Sequence, residues 1–172
     1  YRKTLQSNPV LASRLKEEAR WGLEFVMKNR YSDGYRASSM GLLHWLDGVV
    51  GSKDDIKTVR IQNLPFDNFL YSGYEAYAAL TLKEEDRKTY DRLVTIAEED
   101  YSFAMEKYLK DGYAGFRQPY EHQYNTSQSQ FMATASWASS QLYRLTGNQY
   151  YADKAVEFIE FVLECQQTDP VG

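Results

Sequence analysis

The chain has 172 residues, 43% of them hydrophobic and 26% charged, enough for one domain with a real core but a stretch for two. Its formal net charge of −4 argues against a nucleic-acid partner, which needs a basic face. No apolar run approaches the roughly 18 residues that cross a bilayer. The single cysteine, Cys165, excludes an internal disulfide framework and most zinc sites, so no metal or cofactor is expected.

Aromatic residues make up 15% of the chain, with 15 tyrosines. Tyrosine joins an apolar ring to a polar tip and serves both cores and wet binding clefts.

The first predicted helix covers 9–29. Asn8 suits the N-cap and Pro9 the first helical position. Leu11, Leu15, Ala19, Leu23 and Met27 recur every four residues, and Trp21 and Phe25 add a second apolar flank. This predicts a helix covered on more than one side, with Trp21 in the core. Periodicity then disappears over 30–65, a stretch rich in Gly, Ser, Asp and aromatics, with hairpin-like strands expected around Tyr35 and at 59–61. Asp33-Gly34 and Asp47-Gly48 read as turns. A loop this long inside a compact domain is usually functional or disordered, and its aromatics oppose simple disorder.

A second helix is predicted at 67–82, with Leu70, Tyr74, Tyr77 and Leu80 inward. The charged turn Lys83-Glu84-Glu85-Asp86 follows. The third helix, 87–109, carries Tyr90, Leu93, Ala97, Ala104 and Tyr108 on its stripe and stops at Asp111-Gly112. Its run Glu98-Glu99-Asp100 reads as a solvated face without calcium-loop spacing. A second aromatic loop runs to Asn125, where Thr126 or Ser127 can cap a fourth helix, 127–145. Phe131, Ala135, Ala138, Leu142 and Leu145 share one face of it, and Trp137 is expected in the core. After the turn Thr146-Gly147-Asn148, a fifth helix covers 149–167, with Tyr151, Ala155, Phe158, Val162 and Cys165 inward. Cys165 is thus expected to be a buried structural thiol.

Short turns near 84 and 147 alternate with long aromatic loops at 30–65 and 110–126. In a stack of helical hairpins the short turns fall at one end and the long loops at the other, which becomes the natural binding face. The chain starts at Tyr1 without Met or a signal segment and stops at Asp169-Pro170-Val171-Gly172. Both ends read as cut, as in a fragment or processed chain.

The segment Glu18-Ala19-Arg20-Trp21-Gly22-Leu23-Glu24-Phe25-Val26-Met27-Lys28 resembles the R-W-G-L-D-[WY]-[LI]-[LI]-K run of glycoside hydrolase family 9. Ser72-Gly73-Tyr74-Glu75-Ala76-Tyr77-Ala78-Ala79-Leu80 is similar to that family's alanine-rich barrel helix. Ser136-Trp137-Ala138, continued by Leu142-Tyr143-Arg144-Leu145-Thr146-Gly147-Asn148-Gln149-Tyr150-Tyr151, resembles its W-A-x(3)-L-Y-x-A-T-G-[DN]-x-x-Y pattern. The order of elements agrees over nearly the whole chain. The resemblance implies an all-α fold of consecutive helical hairpins forming part of an (α/α)6 toroid, with 1–172 as one partial domain. It further implies a secreted or periplasmic setting, a carbohydrate partner, the rest of the barrel as a second partner, and inverting hydrolysis by two carboxylates.

The family's base lies in a D-[AG]-G-D type motif before the first helix, and its acid near the end of the domain. Neither motif occurs here, and Ser129-Gln130 stands where family members carry Asp-Glu. No catalytic residue is therefore assigned. Tyr35, Trp45, Tyr71, Tyr120 and Tyr124 are candidates for stacking on sugar rings. Arg60 and Arg117 are candidates for paired hydrogen bonds to hydroxyls or a uronate, and His122, beside Glu121, for holding a sugar hydroxyl. Loop anchoring and surface salt bridges explain each of these aromatics and arginines about equally well. Two alternatives stay open. One is another enzyme on the same barrel, of glucuronyl hydrolase or epimerase type, although two histidines are few for an epimerase. The other is a non-catalytic helical interaction module, or a degenerate glycosidase that binds sugar without cleaving it; the tetratricopeptide-like segment 137–162 lacks a sustained 34-residue period.

Overall fold

The computed structural model describes residues 6–42, 47–112 and 128–165. Among these the chain is mostly helical, with five long helices and one small sheet: α1 (Pro9–Lys28), β1 (Arg36–Leu42), β2 (Lys57–Gln62), α2 (Pro65–Leu82), α3 (Arg87–Asp111), α4 (Gln128–Thr146) and α5 (Gln149–Glu164).

Local chemistry sets the boundaries. The Asn8 side chain accepts a hydrogen bond from Leu11 N, and Pro9 opens α1; at α3 the Asp86 side chain accepts one from Thr89 N at 3.1 Å. Such caps satisfy donors that a helix start leaves bare. Helix α3 stops at Gly112, whose φ of 62° lies in the left-handed region that glycine enters freely. The expected strands form: β1 and β2 pair antiparallel from Arg36↔Gln62 to Leu42↔Lys57, with an irregularity between Ala37 and Ser39. The Ser32–Tyr35 turn ahead of β1 has positive φ at both Asp33 (49°) and Gly34 (77°), and Tyr35 N donates to Ser32 O at 2.7 Å.

Helix α2 packs on α3, α4 on α5, and α2 on α4. Phe69 meets Phe131 at 5.7 Å and Gly73 abuts the Trp137 ring, so α2 and α4 run parallel. Tyr101 meets Tyr151 at 5.1 Å and Tyr108 meets Phe158 at 5.9 Å, so α3 and α5 run parallel as well. The two hairpins use the same device internally. Ser72 Oγ of α2 donates to Ala97 O of α3 at 2.8 Å, and Ser136 Oγ of α4 donates to Ala155 O of α5 at 2.8 Å. The fold is therefore two consecutive helical hairpins stacked in the same direction. Both short turns lie at one end, and the starts of α2 and α4 lie at the other.

The core is aromatic and alanine-rich. Phe69, Tyr101, Phe131, Tyr151 and Phe158 surround buried Ala76, Ala97, Ala104, Ala135 and Ala138; the alanines allow close helix approach while the rings fill the space between. A smaller cluster of Ala79, Leu93 and Ile96 takes Leu23 and Met27 of α1.

Several sequence expectations are corrected. Trp21 is 74% exposed and α1 has no fully buried residue; its residues packed against the smaller core cluster are Leu23 and Met27, in its last turns. Tyr74 and Tyr77 are exposed; the Phe69-Ser72-Ala76-Ala79 face of α2 turns inward instead. Cys165 is exposed at the C-cap of α5, past the last inward turn. Asp100 is buried, since it shares the α3 face of Leu93, Ala97 and Ala104. Trp137 is half-buried against Gly73 and Tyr74.

Candidate functional site

Where α1 ends and β1 begins, the chain passes over α2 and α3 and leaves its charges there. Arg36 is 1% exposed. Its Nη2 donates to Glu75 Oε1 at 2.7 Å and to Asp100 Oδ2. Its Nη1 donates to Val26 O at 3.1 Å, and its guanidinium lies 4.1 Å from the centroid of the Tyr71 ring, a cation–π geometry. Asn29 completes the joint by donating from Nδ2 to Ala37 O at 3.2 Å and accepting from Ala37 N at 2.8 Å. Arg30, at the rim, donates to Asp100 Oδ1 from Nε at 3.1 Å and to Glu99 Oε2 at 2.7 Å.

The electrostatics follow from this crowding. Burial and the adjacent Asp100 charge push the Glu75 carboxyl well above its ordinary value, and Arg36 only partly offsets them. Glu75 Oε2 has no hydrogen-bond partner among the described residues. Burial works against the Arg30 cation, but the pull of Glu99 and Asp100 outweighs it and raises its pKa. Asp67, in the first turn of α2, is pushed from 3.8 to about 6 by burial, against the lowering influence of Arg36.

One cavity adjoins this joint, and a second continues from it. The first, of about 270 Å³, is walled by Arg30, Tyr31, Arg36, Glu99 and Asp100 among others. The second, of about 390 Å³, is walled by Asn63, Glu106, Lys107 and Lys110. Asp33, Tyr35 and Phe103 belong to both, so together they form one two-lobed cleft along α3. A separate shallow groove lies between α2 and α4, lined by Leu70, Tyr74, Gln130, Ala133, Thr134 and Trp137. There Tyr74 and Trp137 meet edge to face at 5.1 Å. Among the described residues no group of His, Cys, Asp and Glu has the arrangement of a metal site, and no helix is long and apolar enough to cross a membrane.

Of the residues singled out in the sequence, Tyr35 is 47% exposed and stands between the two lobes. Tyr71 belongs to the joint: its ring lies under Arg36 and its hydroxyl accepts from Asn29 Nδ2 at 3.3 Å. Arg60 is exposed on β2 and lines neither lobe. Trp45, Arg117, Tyr120, His122 and Tyr124 lie outside the described residues. The sequence reading missed Arg30, Arg36, Asp67, Glu75 and Asp100. A signal existed for two of them: Glu75 and Asp100 fall on the apolar faces of their own helices, where an unpaired carboxylate is costly and so announces a buried cation.

No protein-family model matches the chain, and no curated protein matches it.

Proposed function

We propose that this chain forms part of the wall of an (α/α)6 toroid in a carbohydrate-active enzyme, an inverting glycoside hydrolase of the family 9 type, acting on a polysaccharide or oligosaccharide outside the cytoplasm. The observation that carries the reading is the repeated hairpin: α2/α3 and α4/α5 stack in the same direction, tied by Ser72–Ala97 and Ser136–Ala155 hydrogen bonds. Repetition of that unit around an axis places α2 and α4 inside and α3 and α5 outside. It also brings the starts of α2 and α4 to one end. Tyr74, Tyr77 and Trp137 then line the inner wall, and Asp67, in the first turn of α2, sits at that end. The apolar stripes left exposed on α1 (Leu11, Leu15, Trp21, Phe25) and on α5 (Val156, Ile159, Leu163) suit neighbouring hairpins on both flanks.

The chemistry falls to carboxylates beyond those described. Glu75 and Asp100 share the Nη2 of Arg36 and are buried, which holds them away from a substrate. The test is hydrolysis by the protein in its natural full-length context, followed by proton NMR of the anomers released from soluble β-glucan, xylan and polygalacturonate. Release of reducing ends with inverted anomeric configuration is expected. The absence of any cleavage would favour the second reading, a sugar-binding or interaction module without catalysis, for which the locked Arg36–Glu75–Asp100 cluster is the specific support.

A further inference from the structure

The two-lobed cleft along α3 lies on the opposite hairpin helix from the inner wall just described, and it has the features of a ligand site of its own. We infer that it binds a neutral oligosaccharide, one sugar unit in each lobe with the Tyr35 ring between them; this rests on the carbohydrate reading above and adds the place and the charge class of the ligand.

Three observations support it. One lobe, about 390 Å³, falls at the lower end of the roughly 300–1,000 Å³ typical of small-molecule sites, and the other, about 270 Å³, is a little smaller and continuous with it. Tyr35, half exposed, is held by the Ser32–Tyr35 turn, and that turn is fixed from below: Asn63 Nδ2 donates to Asp33 O at 2.8 Å and Asn68 Nδ2 to Gly34 O at 3.0 Å. The ring is thus carried on a braced platform. The charges around the cleft cancel locally. Arg30 is taken by Glu99 and Asp100 and Lys107 by Asp111, while Asp33, Glu106 and Lys110 also belong to the second lobe's lining. A charged ligand gains little from such a wall, whereas a polyhydroxylated one finds donors and acceptors of both kinds.

The test is an NMR titration of the ¹⁵N-labelled 172-residue chain with cellobiose, xylobiose and, as the charged control, digalacturonate. Saturable shifts are expected at the amides of 31–36 and on α3 around Phe103, with both neutral disaccharides ahead of digalacturonate. Tyr35→Ala is expected to weaken binding about tenfold, the scale of one lost aromatic contact, while Tyr35→Phe retains it; the remaining amide spectrum of each variant reports that the fold is unchanged. Shifts centred instead on Tyr74 and Trp137 overturn the placement and leave the carbohydrate reading standing. Tighter binding of digalacturonate overturns the neutral-ligand assignment. Absence of shifts with all three sugars overturns the site, and the hydrolysis assay then decides the wider reading alone.

Discussion

Arg36, Glu75 and Asp100 come from a strand, and from the middles of two helices, and the core closes over them. Such a cluster stabilises weakly as a whole, since each charge loses its water, yet removal of one member is severe because the others stay buried and unpaired. Arg36→Met keeps most of the volume and strands two carboxyls. It is expected to cost about 3–5 kcal/mol by urea denaturation, and adding Glu75→Gln and Asp100→Asn is expected to recover part of the loss. A single-variant cost under about 1 kcal/mol would show that the cluster is solvated. Asp67 supplies a second, pH-dependent test. Its carboxyl titrates near 6 in the fold against 3.8 as the ordinary value. Between those values the folded chain keeps a proton that the unfolded chain has lost, so this group's contribution is full below about pH 4 and declines as pH rises toward 6. Asp67→Asn is therefore expected to change stability little at pH 4 and to raise it by about 1–2 kcal/mol at pH 7 relative to the parent. An unchanged difference across that range would contradict the shift.

Between elements, the decisive contact is Gly73 of α2 against Trp137 of α4, the point where one hairpin meets the next. A Cβ at Gly73 would fall inside the contact distance of the Trp137 ring, and the ring is already engaged with Tyr74. Gly73→Ala is expected to cost about 1–3 kcal/mol through overpacking, with a near-ultraviolet circular dichroism change as the indole is displaced. Pairing it with Trp137→Leu, which vacates the space, is expected to remove most of that extra cost. The helices and both short turns were legible in the sequence because caps and stripes are local: Asn8-Pro9 and Asp111-Gly112 mark ends by their own chemistry. The strands were legible for a similar reason, the Asp33-Gly34 turn preceding one of them. What the stripe cannot give is its partner. Trp21 and Leu15 lie on as good an amphipathic face as Phe131 and Leu142, yet only the second pair is met by another helix. Of the candidate site, Tyr35 was found from aromatic loop composition. Arg36 was hidden because its burial depends on carboxylates 39 and 64 positions away.

At the scale of the molecule, order is unevenly supported. Helices α2 to α5 share an interior of interlocking rings and alanines. Among the described residues helix α1 is held near its end by Leu23 and Met27 against the smaller cluster and by the Arg36 bond to Val26 O, and at its middle by the Lys16–Glu85 surface pair at 3.0 Å. A surface pair of that kind contributes about 0–1 kcal/mol, and a 20-residue helix with so little packing is marginal by propensity alone. Local opening of α1 should therefore cost far less than opening of the hairpins. Hydrogen exchange is expected to show amides from Leu11 to Trp21 exchanging at least about 100-fold faster than those from Ile96 to Ala104, with protection rising toward Met27. If α1 is instead as protected as α3, its Leu11, Leu15, Trp21 and Phe25 face must be covered in solution. Sedimentation at two concentrations then separates a second copy of the chain, which gives a concentration-dependent mass, from a fold in which α1 lies closer to the hairpins.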